Sequence, residues 1–250
     1  MQEQQISKPI QDGEPIIVFD HVSKIYTLYK NDRERFISLF HRPKNLKTNL
    51  AFNDVSFTIN KGEAVGIIGS NGAGKSTLLK MVTGVTFPTS GTVTVKGHVA
   101  ALLELTAGFS LEMTGRENIY LKGYLLGLRD DEIKEIEQSI IDFADLGEYI
   151  DQPVRTFSSG MKMRLGFAIN INTNPDILVV DEALSVGDAA FKKKCKDKIA
   201  EVIKTGVTVL YVSHSMQSVN EICHRAIYLK KGTVMYDGDV EEAFKLYGGK

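Results

Sequence analysis

Gly69-Ser70-Asn71-Gly72-Ala73-Gly74-Lys75-Ser76-Thr77 is the run in this chain with the most definite chemistry. Its spacing meets the pattern G-x-x-x-x-G-K-[ST], which signifies a phosphate cradle when a strand precedes it and a helix follows. Both are expected here, because Ala64 to Ile68 is a short apolar run and Ser76 to Val82 is helix-like up to Gly84. A polyphosphate needs several backbone N–H groups turned inward, and Gly69, Gly72 and Gly74 free the backbone to offer them. The helix behind the loop adds unpaired N–H groups and the positive end of its dipole, and Lys75 reaches the outer phosphates as a point charge. The Ser76 hydroxyl is placed to ligate Mg²⁺.

Further residues fit the same chemistry. Ile177 to Val180 is an apolar run that ends in Asp181 and Glu182. In an open α/β sheet the carboxyl end of a buried strand is where ligands bind. Asp181 is placed to hold Mg²⁺ through water, and Glu182 to orient an attacking water. His214 follows the run Val207 to Val212 and is a candidate donor to the outermost phosphate. The three residues Ser158, Ser159 and Gly160 open a helix and make a second anion-binding candidate. One chain has one such loop and one cradle, so each nucleotide is expected between the cradle of one copy and the serine loop of another. The local sequence serves a plain helix cap equally well. Tyr26 is a candidate for stacking on a base, and a core tyrosine accounts for it as readily.

The elements that must position these groups alternate. Strands are expected at 16–22, 55–59, 64–68, 92–95, 98–103, 177–180, 207–212, 226–230 and 233–236, with helices at 189–204 and 215–223. This is the alternation of a doubly wound α/β core. Residues 118–126 and 132–144 carry apolar residues on one face, which suggests a helical subdomain over about 100–170. A polar, flexible N-terminus covers 1–15. A charged insertion covers about 30–48, in which Phe36, Leu39 and Phe40 share a helical face, either against a membrane partner or against the chain's own sheet.

Composition limits the partners. The 250 residues carry a formal net charge of −1, with 43% hydrophobic and 24% charged residues. Such a balance gives no electrostatic case for nucleic acid or anionic lipid. Cys195 and Cys223 make no disulfide framework, which fits a reducing cytosol. No run reaches the roughly 18 apolar residues of a membrane span, so a membrane role would have to come through a partner.

Taken together, these residues resemble the ATP-binding subunit of ABC transporters, over about Phe19 to Gly238. Phe157 to Met161 stands where that family has Leu-Ser-Gly-Gly-Gln, and Asp188 stands in its dimer-crossing loop. Glu104 to Phe109 and Thr114 to Ile119 look like the polysaccharide-export branch. Residues 153–160, 174–176 and 181–188, with Tyr26 to Tyr29, are similar to teichoic-acid export ATPases. The resemblance implies a P-loop NTPase with a mainly parallel core sheet, an antiparallel portion and a helical subdomain. It implies ATP and Mg²⁺, a head-to-tail dimer of two copies, and a polytopic permease on whose cytoplasmic face the dimer sits. The implied cargo is a lipid-linked wall polymer, with O-antigen or capsule as the second choice. Less favoured readings are a soluble ABC-type ATPase and a nucleotide-gated docking protein. Ser159 and Met161 depart from the usual signature. The family's coupling glutamine is missing, and Glu104 is the nearest residue, as a metal or water contact.

Overall fold

The computed structural model describes residues 13–29, 33, 36, 47–102, 105–181 and 188–248. Among these residues two sheets form. The first is antiparallel, with β1 (Pro15–Leu28) between β2 (Lys47–Asn60) and β4 (Ser90–Val95). The second has the order β5 (Val99–Ala101), β6 (Ile177–Asp181), β7 (Thr208–Val212), β3 (Ala64–Ile68), β8 (Arg225–Lys230), β9 (Thr233–Asp239). It is parallel except for the final β8–β9 pair. The helices are α1 (Lys75–Val82), α2 (Gly115–Leu125), α3 (Asp130–Ala144), α4 (Ser159–Asn172), α5 (Ala189–Lys204), α6 (Met216–Ile222) and α7 (Val240–Gly248).

A strand covered on both faces needs apolar residues at every position, and β6 satisfies this. Ile177 and Val179 enter the core shared with the antiparallel sheet and α1, among Phe19, Phe52 and Leu78. Leu178 and Val180 enter the opposite core, among Phe167 of α4 and Phe191 of α5. The continuous run therefore fixes a strand in the middle of a three-layer stack. Its polar end, Asp181, is left at the carboxyl edge of the sheet.

The helical portion has its own core of Ile119, Ile133, Ile140, Leu165 and Ile169. α4 belongs to both sides, because its Leu165, Ala168 and Ile169 face that core while Phe167 and Ile171 face the sheet. This explains why α4 is apolar almost all round. α2 begins with a capping box: Thr114 Oγ1 accepts from Glu117 N at 3.1 Å, and Glu117 Oε2 accepts from Thr114 N at 2.8 Å.

Three boundaries differ from the sequence expectation. β1 runs on to Leu28 and β2 already begins at Lys47, because the two arms pair in register from Tyr26↔Asn49 to Leu28↔Lys47. Strand pairing thus claims the end of the stretch whose charge suggested an insertion. The runs at 92–95 and 98–103 read as one interrupted pattern, yet β4 and β5 lie in different sheets. The reversal is made at Gly97, where φ is +87° and Asp176 Oδ2 accepts from His98 N at 2.8 Å. Finally, α7 adds a C-terminal helix that the strand and helix periods did not suggest. Of the segment Phe36 to Phe40, Phe36 is described and exposed, and the rest lies outside the described residues.

Candidate functional site

Three neighbouring parallel strands end together. In register, Ile67 of β3 faces Val212 of β7, and Val212 faces Asp181 of β6. The carboxyl ends of β3, β6 and β7 therefore lie along one sheet edge. The glycine-rich loop follows β3, and His214 follows β7.

A cavity of about 330 Å³ opens at that edge. The loop and α1 contribute Asn71, Gly72, Gly74, Lys75, Ser76 and Thr77, and the strand ends contribute Asp181, Val212 and His214. Tyr26 closes one side with Asn49, Leu50 and Ala51 of β2. Gly69, Ser70 and Ala73 do not line the cavity but shape the loop beneath it. Ala73 is buried, and its N–H donates to Ser70 O at 3.1 Å.

The loop is built for backbone, not for side chains. At Gly69 φ is +153° and a Cβ would lie 2.3 Å from Leu229 O. At Gly74, the residue before α1, φ is +113° and a Cβ would lie 2.6 Å from Phe52 Cε1. Only glycine meets both demands. The loop is also tied from outside: Gly232 N donates to Ala73 O at 3.0 Å, and Asn53 N donates to Gly232 O at 2.9 Å.

Lys75 Nζ donates to Gly69 O at 2.5 Å and Ser70 O at 3.2 Å, so the ammonium lies across the loop it belongs to. Burial holds its pKa below the usual lysine value, and the Asp181 carboxylate opposes that shift. The first turn of α1 contains no acidic residue to compete for an anion. Free backbone donors, a cation and a hydroxyl beside one carboxylate are a donor set that fits a polyphosphate with a divalent cation. Among the described residues no cluster of three His, Cys, Asp or Glu side chains makes a metal site by itself.

The Tyr26 ring carries Lys24 Nζ 5.0 Å from its centroid, and Lys24 also donates to Phe87 O at 2.6 Å. His214 is exposed, with Tyr247 Oη 3.4 Å from its Nδ1. Ser158, Ser159 and Gly160 lie at the start of α4 and do not line this cavity. Ser158 Oγ caps its own helix by accepting from Met161 N at 3.2 Å. Asp188 also stands apart from the cavity and caps α5, accepting from Phe191 N at 2.9 Å. Glu182 and Glu104 lie outside the described residues.

Sequence reasoning missed Asn49 to Ala51 at the cavity rim, Arg164 against Asp188, and Tyr247 against His214. A polar strand beginning at 47 was the signal for the first. The other two depend on elements that meet only in the folded chain.

A family model described as "ABC transporter" matches residues 52–185. The chain is 48% identical over 239 residues to the O-antigen export system ATP-binding protein RfbB of Klebsiella pneumoniae, covering 93% of this chain and 97% of that one. It is also 48% identical over 231 residues to the teichoic acids export ATP-binding protein TagH of Bacillus anthracis. That match covers 92% of this chain but 42% of TagH, so this chain spans less than half of that relative's length. Among solved structures, an ATP-binding subunit of an ABC transporter superposes with a TM-score of 0.73 at 21% identity, covering 93% of each chain. A dimeric ATP-binding cassette in a post-hydrolysis state with ADP and Pi gives 0.69 at 21% identity, covering 90% of this chain and 98% of that one. The fold is that of these cassettes.

Proposed function

Because this chain belongs to the ABC transporter family, we propose that it is the ATP-hydrolysing subunit of an exporter that moves a lipid-linked cell-envelope polysaccharide outward. The observation that carries the reading is the convergence of Lys75, Ser76, Asp181 and His214 on one cavity at the ends of three adjacent strands. In this proposal the N–H groups of Asn71 to Thr77 and the Lys75 ammonium hold the phosphates. Tyr26 holds the base. Mg²⁺, ligated by the Ser76 hydroxyl and through water by Asp181, supplies charge neutralisation when bound. Glu182 orients the attacking water, and His214 donates to the terminal phosphate. Glu104 is proposed as the contact that stands in for the missing glutamine.

Hydrolysis further requires a second copy in this reading. Ser158 to Gly160 sit at an exposed helix start away from their own cavity, so they are assigned to the phosphates of the other protomer, with Asp188 at the crossing. A membrane partner is supported by the apolar surface beside the site. Val85, Phe87 and Leu125 are exposed, and Val85 and Leu125 rim a second cavity that includes Asp181. No helix among the described residues is long and apolar enough to cross a membrane. The transporting pore is therefore assigned to a polytopic permease, with this chain on its cytoplasmic face.

Teichoic acid is the cargo proposed from the resemblance of residues 153–160 and 174–188. A second reading, O-antigen export, rests on the 48% identity to RfbB over 239 residues. The test is reconstitution of the chain with its co-purifying permease in vesicles. ATP-dependent movement of lipid-linked polymer, lost in Lys75→Ala, is the expected result. Phosphate release that no permease and no polymer alters would remove the export reading.

A further inference from the structure

His214 stands in the turn after β7, a turn braced by Ser215 N donating to Ser213 Oγ at 2.9 Å. Against it comes α7, an element with no part in the cradle. Val240 and Ala243 bury α7 on Cys223, Val219 and Tyr228. The Tyr247 ring is gripped by two edge-on contacts, with Tyr228 at 5.7 Å and Phe244 at 6.0 Å between centroids. This leaves its hydroxyl 3.4 Å from His214 Nδ1, while both the ring and the helix beneath it are fixed. The separation is longer than a closed hydrogen bond.

The consequence concerns one proton. A neutral imidazole carries a single N–H, and the partner of one nitrogen decides which nitrogen holds it. If the Tyr247 hydroxyl donates to Nδ1, the proton must reside on Nε2, and the ring presents a donor toward the cavity. In the other tautomer Nδ1–H donates to the tyrosine oxygen, and Nε2 turns a lone pair toward phosphate oxygens that also carry lone pairs. The first arrangement attracts the phosphate and the second repels it.

We propose that Tyr247 is a positioning residue that holds His214 in its Nε2–H tautomer, so that the C-terminal helix prepares the histidine to donate to the terminal phosphate. This deepens the reading of His214 given above and rests on it. Tyr247→Phe removes the hydroxyl and keeps both ring contacts, so the helix stays in place.

Three measurements on the full chain test it. Long-range ¹⁵N–¹H correlation spectra of nucleotide-free protein should show His214 mainly as the Nε2–H tautomer in the wild type and as a mixture in Tyr247→Phe. The kcat for ATP should fall about 3- to 10-fold, the span of one hydrogen bond, with KM within twofold and an unchanged melting midpoint. On a His214→Ala background Tyr247→Phe should have no further effect. Equal tautomer populations in the two proteins, or an unchanged kcat in Tyr247→Phe while His214→Ala is impaired, would overturn the proposal. Full turnover in His214→Ala would instead remove the phosphate role of His214 itself.

Discussion

Arg164 Nη2 donates to Asp188 Oδ2 at 2.8 Å, joining the helix that begins at the Ser158 loop to the cap of α5. The same guanidinium lies 4.7 Å from the centre of the Phe191 ring. Asp188 is thus held twice, because its other oxygen accepts from Phe191 N. Both segments are proposed to face the second protomer, and this ion pair sets their spacing before that protomer arrives.

The two functions of Asp188 separate by substitution. Asn keeps an acceptor for the cap and gives up the ion pair, whereas Ala gives up both. Asp188→Ala should lower the melting midpoint by about 2–4 °C, and Asp188→Asn by less. The Phe191 N–H first, and the Arg164 charge as a lesser cause, hold the Asp188 pKa below the usual carboxylate value. A depressed carboxylate stabilises the fold above its unfolded pKa and loses that contribution as pH falls through the folded value. The gap between wild type and Asp188→Ala should therefore be complete at neutral pH and close below about pH 4. An equal gap at pH 3 and pH 7 would contradict the assignment.

A buried cation gives a second test in which stability again rises with pH, in a window at alkaline rather than acid pH. Lys122 of α2 is buried, and its Nζ donates to Leu105 O at 2.5 Å in the stretch that follows Glu104. Leu105 O is also the atom that a Cβ on Gly166 of α4 would meet at 2.1 Å, so Leu105 is clamped between two helices. Burial pushes the Lys122 pKa down to about 8. Between that value and the ordinary lysine value the unfolded chain holds a proton that the folded chain has released. Stability attributable to Lys122 therefore rises with pH across that window. The buried thiols of Cys195 and Cys223 are pushed up to about 12 and work the other way, because the unfolded thiols ionise first. The difference between wild type and Lys122→Met cancels them. Urea denaturation should show this difference moving in favour of wild type by up to about 3 kcal/mol from pH 8 to pH 10.5. A difference that stays flat would mean that Lys122 is solvated.

What could be read from the sequence was what is local. The glycine-rich loop between strand and helix, the apolar run into Asp181, and the helix start at Ser158 each lie within a dozen residues, where spacing alone determines geometry. The parallel sheet followed from the alternation of such runs. What escaped depends on distant segments meeting. Arg164 with Asp188 joins residues 24 apart, Tyr247 with His214 joins residues 33 apart, and the β1 and β2 arms lengthen only because each has the other to pair with. Gly97 shows the limit within a short stretch as well. Strand periodicity is the same on both sides of it, and the partner that assigns β4 and β5 to different sheets, Asp176, is far along the chain.

Glu182 takes its proposed role from the strand that delivers it. Glu182→Gln keeps size and hydrogen bonding while removing the carboxylate charge, so binding of ATP should persist with an affinity within about threefold of wild type. Turnover should fall by about 10²-fold or more, as expected when an interaction made only in the transition state is lost. With hydrolysis stalled, two copies should remain closed on nucleotide, and sedimentation velocity with ATP should show a dimer that ADP does not support. Near-normal phosphate release from this variant would assign the water to another group.

Two glycines separate what the chain needs for its own fold from what it presents outward. Gly69 is required internally, because a Cβ there would lie 2.3 Å from a backbone carbonyl at a positive φ. Gly69→Ala should cost on the order of 2–3 kcal/mol by chemical denaturation, since neither the loop nor β8 has room to move. Gly160 has no such need. It lies in the first turn of α4, and a Cβ would meet nothing closer than Ser158 Oγ at 3.8 Å. By helix propensity alone Gly160→Ala should leave stability unchanged or raise it by about 0.5–1 kcal/mol. If the N–H groups at this helix start serve the phosphates of a second protomer, the added methyl stands where those phosphates approach. Turnover should then fall at least tenfold, and the ATP-dependent dimer of the Glu182→Gln background should be lost. A Gly160→Ala protein that is fully stable, fully active and still dimerises would show that this helix start is only a cap.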